Sequence, residues 1–131
     1  MSDTKATNEI VVADDGSDAG TAAVAWAANA ATKRGAPLKL VTAYTMPQFM
    51  YADGMVPPQE LYDELENEAM DKINNARDQI SAVDPNIAVS HYVAEATPID
   101  LLLQVSEDAD MVVMGSRGLG GLSGLVLGSV S

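Results

Sequence analysis

Short apolar runs alternate along this chain with longer segments of helical periodicity. The apolar runs are EIVVA, PLKLVTAYT, NIAVSHYVAE and DMVVMG, and turn-forming residues interrupt them. An alanine-rich segment that ends at Gly35 follows the first run, and a helix with Thr97 as its N-cap and Pro98 at its first position precedes the last. This alternation predicts the order β-α-β-α-β-α-β, which forms a parallel sheet with helices on both faces.

The middle helix is predicted from the spacing of its apolar residues, which recur every three or four positions and share one face. Acidic residues occupy the remaining positions, as expected of a face in contact with water. Trp26, on the alanine-rich helix, is predicted to be a core residue. The apolar face of the middle helix comprises Leu61, Leu65, Ala69, Ile73, Ala76, Ile80 and Val83.

Size and charge limit the classes of function. The 131 residues are enough for one domain with its own core, which we place at residues 9–131 after a disordered polar tail, residues 1–8. Cysteine is absent, which excludes disulfides and thiolate chemistry. The net charge of −12 disfavours nucleic acid and anionic membranes as partners. No apolar stretch reaches membrane-spanning length, so we expect a cytoplasmic protein.

Two unusual loops follow the first and the fourth predicted strands. They are DDGS, at residues 14–17, and GSRGLGG, at residues 115–121. Ligands of open parallel sheets bind beyond the carboxyl ends of the strands, where the strand order reverses. Both loops lie at carboxyl ends, so this edge of the sheet is the predicted binding site.

The glycine loop has the composition of a phosphate-binding segment. Glycine lets backbone N–H groups turn toward a ligand, and consecutive N–H groups form a concavity that binds anions. Gly128 and Ser129 offer N–H groups and a hydroxyl at the predicted start of a next helix. Arg117 is the only cation of the segment and either pairs with phosphate or points to solvent. The alternative is a surface loop without a ligand.

The spacing Gly115, two residues, Gly118, nine residues, Gly128-Ser129 resembles the nucleotide-binding signature of the universal stress protein family. The segment IVVADDGSDAG also resembles the first strand and turn of that family, and DADMVVMGSRGLGGLSGLVLGSVS resembles its fourth strand and loop. The resemblance extends from about residue 9 to the last residue.

The resemblance implies a Rossmann-like fold, similar to adenine nucleotide alpha hydrolases, in which β1 and β4 are neighbours in an open sheet of five parallel strands. It implies that ATP binds there with Mg²⁺ or Mn²⁺ and that the full-length protein is a homodimer. Asp15 would lie near the adenine and ribose, and the backbone of Ala43 would meet the adenine edge. The ribose and phosphates would be held by Met114, Gly115, Arg117, Gly118, Gly128, Ser129 and Val130.

Two departures from the family pattern bear on the predicted site. Asp14 adds a second carboxylate beside Asp15, and three roles remain open for it: capping the turn, sharing a proton with Asp15, or binding a cation. Family members also continue beyond GSVS into a further helix and a fifth strand. We therefore expect a C-terminally incomplete domain in which β4 is an exposed edge, and we expect ATP binding by this chain alone to be weak or absent.

Two functions of different classes follow. The first is an ATP-binding stress-response protein that uses nucleotide occupancy as a signal, with at most slow hydrolysis. The second is a protein-interaction module of the same fold that needs no nucleotide. No catalytic residue is predicted: His91 is expected to be packed or edge-facing in a strand, and no serine has an identifiable base beside it. We favour the first function because the glycine spacing is intact.

Overall fold

The computed structural model describes residues 9–46, 54, 56–107, 109–115 and 126–128. The predicted tail, residues 1–8, lies outside these ranges. Three helices are present: α1 (Asp18–Arg34), α2 (Gln59–Val83) and α3 (Pro98–Ser106). The strands are β1 (Ile10–Ala13), β2 (Leu38–Tyr44), β3 (Val89–Glu95), β4 (Met111–Met114) and β5 (Val126–Gly128).

The sheet has the strand order β3-β2-β1-β4-β5, and β1 to β4 are parallel. The predicted parallel α/β fold is therefore confirmed, as is the prediction that β1 and β4 are neighbours. The chain builds outward from β1 to β2 and β3, and then crosses back to β4 on the other side of β1. The strand order thus reverses between β1 and β4, which is where such sheets bind ligands.

Alternate residues of β1 face opposite layers of the molecule. Ile10 and Val12 pack in one buried cluster with the alanines of α1 and with Ile73 of α2. Val11 packs in a second cluster with Leu101 of α3. Helices therefore cover both faces of the sheet, which explains why the central strands β1 and β4 are apolar throughout rather than alternating.

The predicted helix ends are confirmed where a cap defines them. Gly35 ends α1 with a left-handed φ of 62°, a conformation that glycine adopts without strain. Thr97 caps α3, and its Oγ1 accepts a hydrogen bond of 3.2 Å from the backbone N–H of Asp100. Ser17 caps α1 in the same way.

Two residues predicted for the core are exposed. The Trp26 side chain is 48% exposed, because it lies outside the buried face of α1, which consists mainly of alanines. Val83 is 40% exposed because it is the last residue of α2. The central positions of the predicted α2 face are buried as expected: Ala69, Ile73, Ala76 and Ile80.

The expectation that β4 forms an exposed edge is wrong, because β5 pairs with β4. Residues 126–128 pair antiparallel with β4, with Gly128 opposite Met111 and Val126 opposite Val113. A parallel strand would require a crossover of a dozen or more residues, whereas an antiparallel return needs only a short connection. The short segment between Gly115 and Val126 thus favours the antiparallel pairing.

α2 carries its charged residues on the side that faces water, and its buried residues are confined to one face. Across the ranges that the structure describes, no helix combines the length and the apolar character needed to cross a membrane.

Candidate functional site

The candidate site lies at the carboxyl ends of β1, β2 and β4. Ala13 is in register with Val41 of β2 and with Met114 of β4. Asp14 and Gly115, which follow Ala13 and Met114, therefore leave the sheet at one level, whereas β2 continues to Tyr44. The predicted convergence of the two unusual loops is thus seen for the part of the glycine loop that the structure describes.

The segment from Asp14 to Ser17 forms a turn held by its own side chains. Oδ1 of Asp14 accepts a hydrogen bond of 2.9 Å from the N–H of Gly16. Oδ1 of Asp15 accepts from both the N–H of Ser17, at 2.9 Å, and its Oγ, at 2.5 Å. The same Oγ accepts from the N–H of Gly20 at 3.0 Å, so the turn continues directly into the cap of α1. Gly16 has a φ of 83°, which favours glycine at this position.

The two neighbouring carboxyls have opposite electrostatic environments. Asp14 is only 7% exposed, and its burial raises its pKa, helped by repulsion from Asp15 and opposed by the N–H of Gly16 and the charge of Lys72. Burial also acts on Asp15, but the two hydrogen bonds from Ser17, together with the N–H of Asp15 itself and the charge of Lys72, outweigh it and lower the pKa of that carboxyl. Asp15 is therefore the stable anion that faces outward. Asp14 caps the turn, one of the three roles left open by the sequence.

Gly115 lets α1 pack directly against the end of β4, and Gly20 lets α1 pack against the turn at Asp14 and Asp15. A Cβ atom on Gly115 would lie 2.5 Å from the carbonyl oxygen of Ala19 and 2.7 Å from the nitrogen of Gly20. A Cβ atom on Gly20 would lie 2.5 Å from Oδ1 of Asp14 and 2.8 Å from Oδ1 of Asp15. Real Cβ atoms essentially never approach another heavy atom so closely. Gly115 is required for the shape of the site because its neighbours are backbone atoms, whereas a side chain at Gly20 would displace the carboxylates of Asp14 and Asp15. The sequence prediction missed Gly20, although a glycine inside an alanine-rich helix is a recognisable signal.

Lys72 of α2 is a second residue that the sequence prediction missed. A Cβ atom on Gly16 would lie 3.3 Å from Cε and 3.4 Å from Cγ and Cδ of Lys72, so the aliphatic stem of the lysine crosses the turn. No local pattern connects the two residues, because α2 reaches the turn only through the packing of α1 and α2 on one face of the sheet.

The predicted site residues fall into three groups. Asp15, Ala43 and Gly115 lie together at the carboxyl edge, and the half-buried Ala43 is two residues beyond Val41 in β2. Met114 adjoins them, but its side chain is buried in the cluster beneath α3, which leaves only its backbone at the edge. Gly128 lies in β5 opposite Met111, at the other end of β4, rather than at the start of a helix beside Gly115. Outside the described residues are Arg117, Gly118, Ser129 and Val130.

The described residues offer carboxylates at this edge but no set of protein ligands for a metal ion. Asp14 and Asp15 are adjacent, yet the described part of the chain contains no group of three or more histidine, aspartate or glutamate side chains that could hold a metal. A divalent cation at this edge would therefore depend on oxygen atoms of a ligand.

His91 lies away from this edge, as an exposed residue of β3, the strand at the side of the sheet opposite β5. Its Nδ1 is 2.8 Å from a guanidinium nitrogen of Arg77. Because a guanidinium can only donate, Nδ1 is the acceptor. The prediction of an edge-facing histidine is confirmed.

Comparisons with known proteins agree with this architecture. The chain matches the universal stress protein family over residues 7–131. It is 32% identical to universal stress protein Rv2005c of Mycobacterium tuberculosis, an alignment that covers 100% of this chain and 45% of the relative. It is 30% identical to a universal stress protein of Thermus aquaticus, covering 93% of this chain and 86% of the relative. The chain thus spans about half the length of the mycobacterial relative.

Solved structures resemble the fold. A universal stress protein family member from Burkholderia pseudomallei superimposes with a TM-score of 0.67 at 22% identity, covering 83% of this chain and 81% of that chain. A universal stress protein in complex with cAMP superimposes with a TM-score of 0.61 at 26% identity, covering 86% of this chain and 75% of that chain.

Proposed function

Because this chain belongs to the universal stress protein family, we propose that it binds an adenine nucleotide, ATP, at the carboxyl ends of β1, β2 and β4 and uses occupancy as a stress-response signal. The observation that carries the proposal is the turn at Asp14–Ser17. It holds an ionised Asp15 carboxylate at the edge where the strand order reverses, beside the glycines that join α1 to β4.

Each part of the edge suits a different part of a nucleoside. Asp15 accepts hydrogen bonds, and ribose hydroxyls donate them. The backbone of Ala43, at the end of β2, is available to the adenine edge. The absence of a Cβ at Gly115 lets a ligand approach the backbone closely. The solved universal stress protein bound to cAMP, at 26% identity, supports an adenine nucleotide as the ligand class.

The phosphate half of the proposal rests on the glycine spacing. Gly118, Ser129 and Val130 would donate backbone N–H groups to the phosphates, and Arg117 would contribute its charge. Gly128 would have to leave its pairing with Met111 to join them. A Mg²⁺ or Mn²⁺ ion, when bound, would offset the negative charge of the triphosphate.

Calorimetric titration with ATP, cAMP and adenosine tests the proposal. Wild-type chain is compared with Asp15→Asn and with Asp78→Asn, which removes the same charge from an exposed position on α2. We expect the wild type and Asp78→Asn to bind alike and Asp15→Asn to lose at least about tenfold in affinity, as for a charge-assisted hydrogen bond. Because the sequence predicts weak ATP binding by this chain alone, the titrations extend to about 1 mM ligand. Absence of binding by the wild type over that range, or equal binding by all three, contradicts the proposal.

A nucleotide-independent interaction module is the second candidate. Two observations favour it: Gly128 pairs with Met111 rather than lying beside Gly115, and the outer side of α3 exposes Ile99 and Leu103, at 53% and 63%. Apolar side chains one helical turn apart form a small contact surface. This candidate replaces the first if no nucleotide binds.

Family membership also leads us to propose a homodimer located in the cytoplasm. The net charge of −12 makes nucleic acid an improbable partner on electrostatic grounds. Sedimentation of the purified chain with and without ATP tests the assembly.

A further inference from the structure

β3 is the outermost strand on one side of the sheet, and no described strand pairs with its free edge. We propose that this edge binds the β3 edge of a second copy of the chain, antiparallel and about a two-fold axis at Tyr92, so that one sheet continues through both copies. Such pairing gives the proposed homodimer its surface and rests on that proposal, but it involves no nucleotide.

Two hydrogen bonds fix which backbone groups of β3 point to the free edge. The carbonyl of Ala88 accepts from β2 at 2.9 Å, and the N–H of Ala96 donates to β2 at 3.0 Å. Because alternate residues of a strand bond to opposite sides, the even-numbered residues of β3 bond to β2. The odd-numbered residues, His91 and Val93 among them, direct their N–H and carbonyl groups outward. These two residues therefore present two donors and two acceptors to an incoming strand.

The β3 edge lacks most of the features that keep natural edge strands from pairing. β3 stays in register with β2 over all seven of its residues, so no bulge twists it away, and it contains neither proline nor lysine. β5, at the other side of the sheet, has only three residues. A long and regular edge is suited to the addition of a strand, which is the interaction that β3 fits.

The charges along the edge are self-complementary. Arg77 of α2 lies at the amino end of β3, where its guanidinium donates to the carbonyl of Val89 at 3.4 Å and to Nδ1 of His91 at 2.8 Å. The exposed Glu95 ends the strand, on the same face as the other odd-numbered residues. An antiparallel pair centred on Tyr92 sets Glu95 of each copy opposite Val89 of the other. Each Arg77 then meets a carboxylate of the second copy, which favours a second copy over an unrelated strand.

The side chains of such a pair also fit. Tyr92 is exposed on the α3 side, where its hydroxyl donates to Oε1 of Gln104 at 3.3 Å. The two Tyr92 rings become direct neighbours across the axis, an aromatic pair of the kind that stabilises sheets. On the α2 side, a cavity of about 380 Å³ beside the edge leaves room for Val93 of the second copy, which lies opposite His91. This cavity is lined by Glu66, Asn67, Met70, His91, Tyr92 and Val93.

Charge reversal tests the pairing. Sedimentation measures the self-association of the wild type, of Arg77→Glu, of Glu95→Arg, and of an equimolar mixture of these two variants, from about 5 µM to about 500 µM chain. The salt concentration is about 0.15 M, which screens charges more than about 8 Å apart. Glu107→Arg is the control, because it makes the same charge change at an exposed position ahead of β4, which β1 and β2 separate from β3. Circular dichroism checks that each variant is folded.

We expect the wild type and Glu107→Arg to dimerise alike. Arg77→Glu and Glu95→Arg should each lose at least about tenfold in dimer affinity, because like charges then face each other. Their mixture should regain the wild-type affinity to within about threefold, since position 77 of each chain again faces the opposite charge at position 95. Local damage by either substitution would not be repaired by mixing.

Amide hydrogen exchange locates the surface. The N–H groups of His91 and Val93 should exchange more slowly as the concentration rises, because they become bonded only in the dimer. Those of Ser90 and Tyr92, which bond to β2, should be protected at every concentration.

A dimer that is insensitive to the reversed charges, that mixing does not restore, or in which the N–H groups of His91 and Val93 stay unprotected overturns the inference and leaves the proposed homodimer with another surface. Protection of these N–H groups in a monomer means that another part of the same chain covers β3, and it also overturns the inference. A chain that stays monomeric throughout overturns the inference and the homodimer together, while calorimetry decides nucleotide binding separately.

Discussion

Gly115, at the carboxyl end of β4, lies against Gly20 in the first turn of α1 so closely that a methyl group on Gly115 would be 2.7 Å from the nitrogen of Gly20. This contact brings the amino end of α1 to the point where the strand order reverses. α1, which Ser17 caps, and β4, which leads into the glycine loop, therefore meet at one place. The shape of the candidate site depends on this contact.

Gly115→Ala should destabilise the protein and weaken nucleotide binding. The added methyl group forces α1 away from β4, at a cost of about 1–3 kcal/mol, as for overpacking in a core. Gly35→Ala is the control: it has open space around it, so only its left-handed φ costs energy, and it lies at the far end of α1. Urea denaturation and ATP titration measure both effects. If both variants lost nucleotide affinity equally, the contact between Gly115 and Gly20 would not be the cause of the loss.

Ser17→Ala should lower stability and change the charge state of Asp15. Loss of an N-cap costs about 1 kcal/mol, and loss of the hydroxyl donor raises the pKa of Asp15 toward its ordinary value. Thr97→Ala removes the corresponding cap from α3 and should cost a similar free energy with no effect on Asp15. Chemical denaturation and carboxyl NMR separate the two variants, and an unchanged Asp15 titration in Ser17→Ala would contradict the assignment.

Asp14→Asn should stabilise the folded protein at neutral pH. Burial raises the pKa of Asp14 in the folded state, so the folded state retains a proton that the unfolded chain has lost, and stability falls as the pH rises through the raised value. Asparagine keeps an oxygen for the N–H of Gly16 without the buried charge. The gain should disappear in acid, below both pKa values. Unfolding experiments at several pH values measure it.

Asp110→Asn is the control for Asp14→Asn. It removes an exposed carboxylate whose ion pair with Arg34 is 3.5 Å long and half exposed on both sides. Such pairs contribute at most about 1 kcal/mol, so a small change is expected. A loss of stability in Asp14→Asn at neutral pH would show that its charge is well compensated in the folded state.

Trp26→Ala should cost less than Val24→Ala, although it removes far more side chain. Val24 is fully buried in the core beneath α1, and its truncation should cost about 1–3 kcal/mol. Trp26 lies on the outward side of the same helix and is half exposed. Denaturation followed by circular dichroism compares them. The reverse order would mean that the indole is covered in solution.

The local signals in the sequence were sufficient for the order of elements and for the caps. Gly35 and Thr97 end and begin helices as predicted, because a cap depends on a few neighbouring residues and on the φ values that they allow. The prediction that Asp15 and Gly115 lie at the same edge of the sheet needed only the parallel arrangement of β1 and β4. The position of Trp26 was predicted wrongly, because hydrophobicity does not show which side of an alanine-rich helix faces the sheet.

The sequence by itself determined that strands and helices alternate, that β1 to β4 are parallel, and that the segments after β1 and β4 leave the sheet at the same edge. Only the tertiary structure decided that Asp14 is buried while Asp15 is not, that Lys72 crosses the turn at Gly16, and that Val126–Gly128 returns antiparallel to β4. Propensity and periodicity act between neighbours in the chain. Burial, charge balance and strand pairing depend on which distant segments pack together, and no local pattern encodes that choice.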